Sequence, residues 1–315
     1  MFEGFGVAAQ MRSSRAATRR SWWSRHSDGL LGAGFVIPSL ALFLLFTVYP
    51  LYRTVTLSFT DWNGVSPHAH NVGLRNYSTA MHDHLWWVSL EHGLFFVVTA
   101  LIFMNGSGLA LAIAVDRLRR GQSVYRIVFY IPTILSGVVV AVIWKWILQP
   151  SGGPLNEVLK AVGLGSLQQP WLATSTTAIW SVAVASMWTG LGYPFLFYLA
   201  GLQNVPAEQV EAARIDGARG WNVFKDVTLP SIRHVMTLVN ILTILGGMQI
   251  FNVVLAMTNG GPAYATEVPV LHIYREAFTF LHFGYATALS VLFGGLLLIV
   301  SVAQFVYTQR KEYVT

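Results

Sequence analysis

The sequence has no cysteine and little charge: charged residues make up 11% of its 315 positions. Without thiols, neither a disulfide framework nor thiolate metal or redox chemistry is available. With so few charges, the chain lacks the polar surface that a water-soluble domain of this size needs. Alternation of apolar and polar residues over about ten positions, the mark of a membrane β-barrel strand, is missing too. So is any G-x-x-x-x-G-K-[ST] phosphate loop. The chain therefore lacks the amide cradle and lysine that hold nucleotide β/γ-phosphates, and it is not expected to be an ATP-hydrolysing enzyme or to bind a cofactor itself.

What is present is apolar. Hydrophobic residues are 54% of the chain, with a mean hydropathy of +0.53, and several uninterrupted runs reach about 18 residues or more, which predicts an all-α, multi-pass membrane protein. Six transmembrane helices are read at 30–57, 90–115, 126–148, 177–200, 233–257 and 283–308, a membrane domain over 30–308 between a basic tail at 1–29 and a short tail at 309–315. The run from Leu30 to Val48 is longer than a signal-peptide core, and no small-residue cleavage pattern follows it. The net charge of +6 speaks to topology and gives no reason to expect a nucleic-acid partner. Fifteen of the twenty Lys and Arg residues fall in the first tail, the loops after spans two and four, and the last tail. The other side keeps only Arg53, Arg75, Lys145, Lys160 and Arg275. This asymmetry predicts an N-in, C-in orientation in a lipid membrane.

The loop at 59–88 on the predicted outer side carries His68, His70, His82 and His84. These H-x-H pairs lack helical i, i+4 spacing and a carboxylate at fixed distance, so no metal site is expected there.

The loop at 201–232 is the chain's most polar interruption between late spans. Between Glu208 and Pro230 it holds the acids Glu208, Glu211, Asp216 and Asp226 and the bases Arg214, Arg219 and Lys225. Asn204 is placed to cap a helix with Pro206 in its first turn and Glu208 near its positive end. Ala212 and Ala213 leave room for another backbone, and Gly217 is placed to end the helix in a left-handed conformation. A second short helix is expected at about 220–227, with Leu229-Pro230 breaking the chain before span five.

This spacing resembles the EAA loop of the permeases of ATP-binding-cassette importers: Glu211-Ala212-Ala213, then Gly217, then Val227-Thr228-Leu229-Pro230, with Val for the usual Ile. The resemblance extends to Leu57-Ser58-Phe59-Thr60-Asp61-Trp62, Val72-Gly73-Leu74-Arg75-Asn76-Tyr77, Tyr130-Ile131-Pro132 and Trp144-Lys145-Trp146. It continues through Thr258-Asn259-Gly260-Gly261-Pro262, Thr266 and Phe283-Gly284-Tyr285-Ala286-Thr287-Ala288. These look like the carbohydrate-importer type, related to the larger maltose permease subunit, without a counterpart of that subunit's extra N-terminal spans and large periplasmic insertion. Glu91-His92 departs from the Asn-Thr of many relatives. The resemblance implies a type I importer permease fold in a bacterial inner membrane. It implies a homologous second permease, two ATPase subunits that hold ATP and magnesium, an extracytoplasmic solute-binding protein and a sugar substrate. It also implies that Glu208, Glu211, Ala212, Ala213, Arg214, Asp216 and Gly217 form the helix that couples to the ATPase.

For the substrate pathway, no acid lies deep in any span, which speaks against an ion-coupled carrier acting alone. Neutral amides and aromatic faces fit a hydroxyl-rich solute. The candidates are Trp188, Leu191, Gly192, Tyr193 and Phe195 in span four, Gln249 and Asn252 in span five, and Thr133 in span three. Some of these positions are carried by resemblance to the maltose permease. For Gln249 and Asn252, packing and pathway roles are both open, while Asn105 and Asn240 are expected to join helices.

Overall fold

The computed structural model describes residue 34, residues 36–118 and residues 120–312, with side chains through 306. The basic tail at 1–29, Arg119 and residues 313–315 lie outside the described residues. Helix α1 (Val36–Leu57) is the first span. The chain divides at Thr56 into two compact units, and the packing that follows is that of the second.

That unit opens with a short hairpin, joined by a single antiparallel bridge between Thr60 and Asn71. Asn76 Nδ2 donates to the carbonyls of Ser58 and Thr60 and pins helix α2 (Arg75–His82) to it. Helix α3 (His84–Asp116) is the second span. It begins six residues before the sequence-based boundary because Asp83 caps it, its carboxylate accepting from the amides of Leu85 (2.9 Å) and Trp86 (3.1 Å). His84 and Trp86 thus belong to a helix, not to the expected loop.

The third and fourth spans are bent pairs. Helices α4 (Gln122–Ile134) and α5 (Gly137–Ile147) meet at 97°. Pro132 removes a backbone donor in the last turn of α4, Leu135 and Ser136 are extended, and the Ser136 hydroxyl accepts from Val139 N–H to start α5. The continuous span read at 126–148 is therefore two helices. After α6 (Pro154–Ala161) come α7 (Ser175–Gly190) and α8 (Gly192–Gln203), bent by 42° at Leu191. The loop that follows holds α9 (Ala207–Ile215) and α10 (residues 221–231, with a π-helical turn at Phe224–Thr228). Span five is α11 (Arg233–Met248) and α12 (Asn252–Met257), interrupted at 249–251. Helix α13 (Pro269–Phe278) lies in the last loop, and α14 (Phe283–Glu312) is the sixth span. Among the described residues, four helices are long and apolar enough to cross a membrane, and six spans result when each bent pair counts as one.

The helices meet through small residues and one polar network. Gly108 of α3 faces Pro194 and Phe195 of α8, where a Cβ would lie 3.1 Å from Pro194 Cβ. At Gly192 a Cβ would press on Thr133 and stand 2.9 Å from the Phe129 carbonyl. Around these contacts Ala112, Phe195, Tyr198, Leu199 and Val239 form a buried apolar cluster. Beside it, Asn105 Nδ2 donates to Asn240 Oδ1 at 2.9 Å, Thr243 Oγ1 donates to Asn105 Oδ1 at 3.0 Å, and the Tyr193 hydroxyl is bonded to Thr243. This ties spans two, four and five together.

Because the Gly192 contact is with backbone, its neighbours cannot yield. Gly192→Val is expected to destabilise the protein by about 1–3 kcal/mol, read as a lowered midpoint of thermal unfolding in detergent. An unchanged midpoint would mean that spans three and four do not depend on this approach.

Candidate functional site: a polar loop, an apolar chamber and a buried charge cluster

In the polar loop, α9 starts after Pro206, which supplies no side-chain cap. Asn204 is not the cap that its residue type suggested: its Nδ2 donates backward to the Ala200 carbonyl at 2.9 Å, closing α8 instead. The end of α9 is as expected. Gly217 has φ +90°, Ala218 N–H donates to the Ala213 carbonyl at 2.9 Å, and Gly217 N–H donates to that of Arg214 at 3.1 Å, the paired bonds of a Schellman cap. Open space surrounds the Gly217 Cα, so its backbone angle and not crowding calls for glycine. Pro230 does not break the chain either: it lies in the last turn of α10, and the interruption before α11 falls at Ile232.

Glu208, Glu211, Ala212, Arg214, Asp216 and Gly217 are exposed, and Ala213 is half-buried. Glu211 and Arg214 also line a depression of about 550 Å³ whose far wall is Asp116 and Arg117, at the turn after span two. The loop offers two large apolar groups that charge-based reasoning passed over, Ile215 at 86% exposure and Trp221 at 68%, with Trp221 against Phe224 at 5.2 Å.

Between spans two, four and five lies a chamber of about 240 Å³, walled chiefly by Phe96, Met104, Met187, Tyr193, Gly246 and Val253. Of the eight pathway candidates, Tyr193 lines it. The others sit elsewhere. Thr133 Oγ1 donates to the Thr189 carbonyl at 2.8 Å, Gly192 packs on Thr133, and Phe195 is fully buried edge-on to Phe129 at 5.3 Å. Trp188 stands edge-on to Trp144 at 6.0 Å, and Leu191 is the bend between α7 and α8. Gln249 and Asn252 flank the break in span five, exposed, on either side of the chamber-lining Ile250. The spans are apolar on all faces, so residue type alone does not reveal which residues line the chamber.

The third feature was not expected at all. Glu267 is completely buried, its Oε2 3.0 Å from Arg275 Nη1 and its Oε1 3.7 Å from His272 Nδ1. On its other side, His272 Nε2 is 3.2 Å from Asp83 Oδ2, which also accepts from the Tyr285 hydroxyl at 2.7 Å. Burial pulls the His272 imidazole down, but Glu267 and Asp83 outweigh it, and the net shift is upward. Burial likewise raises the Asp83 carboxyl, and bonds from Tyr285, Trp86 and His272 reverse this to a net lowering. His92, where the sequence departs from many relatives, places its Nδ1 2.8 Å from the Glu267 carbonyl. The available signal was a lone acid, with His272 five positions on, in the mostly apolar stretch 263–274. Among the described residues, no group of His, Asp and Glu is placed to hold a metal ion.

Residues 106–313 match the family model described as "Binding-protein-dependent transport system inner membrane component". The "Probable ABC transporter permease protein YurN" of Bacillus subtilis is 34% identical over 88% of this chain and 96% of its own. The "Multiple sugar-binding transport system permease protein MsmF" of Streptococcus mutans is 30% identical over 89% of this chain and 96% of its own. Among solved structures, a chain of the bacterial alginate ABC transporter, crystallised in complex with an alginate pentasaccharide-bound periplasmic protein, superposes with a TM-score of 0.80 at 19% identity. The match covers 92% of this chain and 97% of that one. The loop, the bent spans and these likenesses lead to one conclusion: the chain belongs to the family of binding-protein-dependent transport system inner membrane components, as a multi-pass permease subunit of an ABC importer.

Proposed function

We propose that this permease subunit carries a sugar, forming half of a pathway completed by a homologous second permease, and that a separate pair of ATPase subunits drives it through α9. The observation that carries the reading is the α9 element itself. It is a short helix with an exposed polar face, ended by a left-handed glycine and standing over a depression walled by Asp116 and Arg117. Such a rigid projection fits a partner in water better than it fits lipid. The Lys and Arg distribution supports a cytoplasmic position for it, with both ends of the chain on the same side. In this reading Glu208, Glu211, Arg214 and Asp216 make polar contacts with the ATPase, Ala212 and Ala213 permit close approach, and Gly217 sets the turn. Exposed Ile215 and Trp221 add apolar anchors. ATP and magnesium are held by the partner subunits.

The sugar assignment is supported by the printed function of the MsmF relative and by the alginate-bound complex of the fold relative. The chamber adds the aromatic faces of Phe96 and Tyr193, on which a sugar ring can stack. Substrate would arrive on an extracytoplasmic binding protein and cross when ATPase closure, transmitted by α9, moves spans four and five. Tyr193 is the pathway residue with direct chamber contact. Gln249 and Asn252 flank the break in span five, which the same motion would rearrange.

Two outcomes test this. Glu211→Arg reverses a charge on the docking face and is expected to reduce both ATPase-subunit binding and substrate-stimulated ATP hydrolysis by about tenfold or more. Unchanged values would remove α9 from the coupling role. Gly246 lines the chamber with open space before its Cα. Gly246→Phe is therefore expected to fill the chamber and abolish uptake while the complex still assembles, and normal uptake by this variant would place the pathway elsewhere.

A further inference from the structure

We infer that Glu267, His272 and Arg275 are positioning residues for the chamber: their buried charge cluster seats α13 against the break in span five and thereby sets the chamber wall there. The inference rests on the reading of the chamber as the transport pathway.

Two chains of contact meet at α13. On one side is the charge cluster. The Glu267–Arg275 pair ties α13 to the loop before it, the His272–Asp83 pair joins α13 to the cap of α3, and Tyr285 brings in the start of α14. Arg275 Nη2 also donates to the Asn259 carbonyl at 2.8 Å, and His92 holds the Glu267 carbonyl. The segment 259–275 is thus fastened to the starts of spans two and six. On the other side, the Tyr274 ring meets Phe251, inside the break of span five, at 5.3 Å. Val268 and Leu271 are buried in the same apolar cluster as Phe96 and Val253, and those two residues line the chamber. A shift of α13 therefore reaches the chamber wall directly.

A buried ion cluster of this kind responds sharply to loss of one member, because the remaining charges stay buried without compensation. His272 is the member that titrates. It faces Glu267 from its own loop, Asp83 from the cap of α3 and Glu276 from α13 itself, with Tyr285 bonded to that Asp83 and Arg275 paired with that Glu267. Two carboxylates hold its imidazolium, so the raised pKa means that the charged bridge is complete at low pH. It is lost as pH rises through that raised pKa. Alkalinity on that side of the membrane then loosens the seat of α13, and acidity does not.

The test uses the complete transporter, with its partner subunits, in vesicles. Initial uptake is measured against substrate concentration from about pH 6 to about pH 9 on the side of the cluster. In the wild type the half-saturating concentration is expected to rise severalfold toward the alkaline end. His272→Gln keeps a neutral hydrogen-bonding side chain without the titration. It is expected to be flat across that range, at the wild type's alkaline value. Glu267→Gln is expected to raise half-saturation on the order of tenfold with a smaller change in maximal rate, and Glu267→Asp to recover part of the loss. Superimposable pH profiles of wild type and His272→Gln would overturn the inference, as would a Glu267→Gln variant that loses maximal rate alone. Backbone hydrogen exchange at 250–257, compared between wild type and His272→Gln at each pH, gives an answer independent of transport. Faster exchange in the variant at acid pH, converging with the wild type at alkaline pH, supports the positioning role, and equal exchange throughout contradicts it. If the chamber is not the pathway, uptake ceases to inform but the exchange comparison still decides.

Discussion

A backbone that breaks inside an apolar layer must find its hydrogen-bond partners within the protein, and this structure is arranged around three such breaks. Leu135 and Ser136 interrupt span three, Leu191 bends span four, and residues 249–251 interrupt span five. Each is met by a local solution: the Ser136 side chain capping α5, the Thr133 hydroxyl donating to the Thr189 carbonyl just before the bend, and, in span five, Gln249 N–H donating to the Leu245 carbonyl and Leu255 N–H to that of Phe251. The same breaks separate the helices enough to leave a chamber and give each span a place to flex. Unbroken, uniformly apolar helices would pack more simply and offer a solute nothing.

What holds the broken spans together differs by depth. In the middle, glycine contacts and the Asn105–Asn240–Thr243–Tyr193 network join spans two, four and five. At one end the charge cluster around Glu267 fastens the last loop to the starts of spans two and six. At the loop of α9 there is comparatively little such fastening: most of its named residues are exposed, and its largest apolar groups face outward. That gradient suits the proposed coupling role, with a firm seat beside the chamber and an exposed surface at α9.

Much of this was legible in the sequence, and the reasons are physical. Span number, helical class and the α9 element follow from run length, charge and the Gly217 position, signals that are local and strong. The left-handed angle at Gly217 was readable because few residues other than glycine adopt it. The bend in span three was signalled by Pro132 and Ser136-Gly137, yet hydropathy alone runs straight through it. Helix phase was not legible, which is why Phe195 and Trp188 sit in packing contacts while Met104 and Met187 line the chamber. The Glu267 cluster was hidden for another reason. Asp83 and Tyr285 are about two hundred positions apart, and no periodicity announces a contact over that distance.

Under the proposed function, this chain moves solute only as part of an ATP-driven assembly. The most direct measurement compares sugar uptake by vesicles holding the complete complex with uptake by vesicles holding this chain alone. The former are assayed with ATP on the α9 side and the binding protein on the other, and the latter under an imposed proton or sodium gradient. Uptake that requires the full complex and ATP is the expected result. Gradient-driven uptake by the chain alone would contradict it.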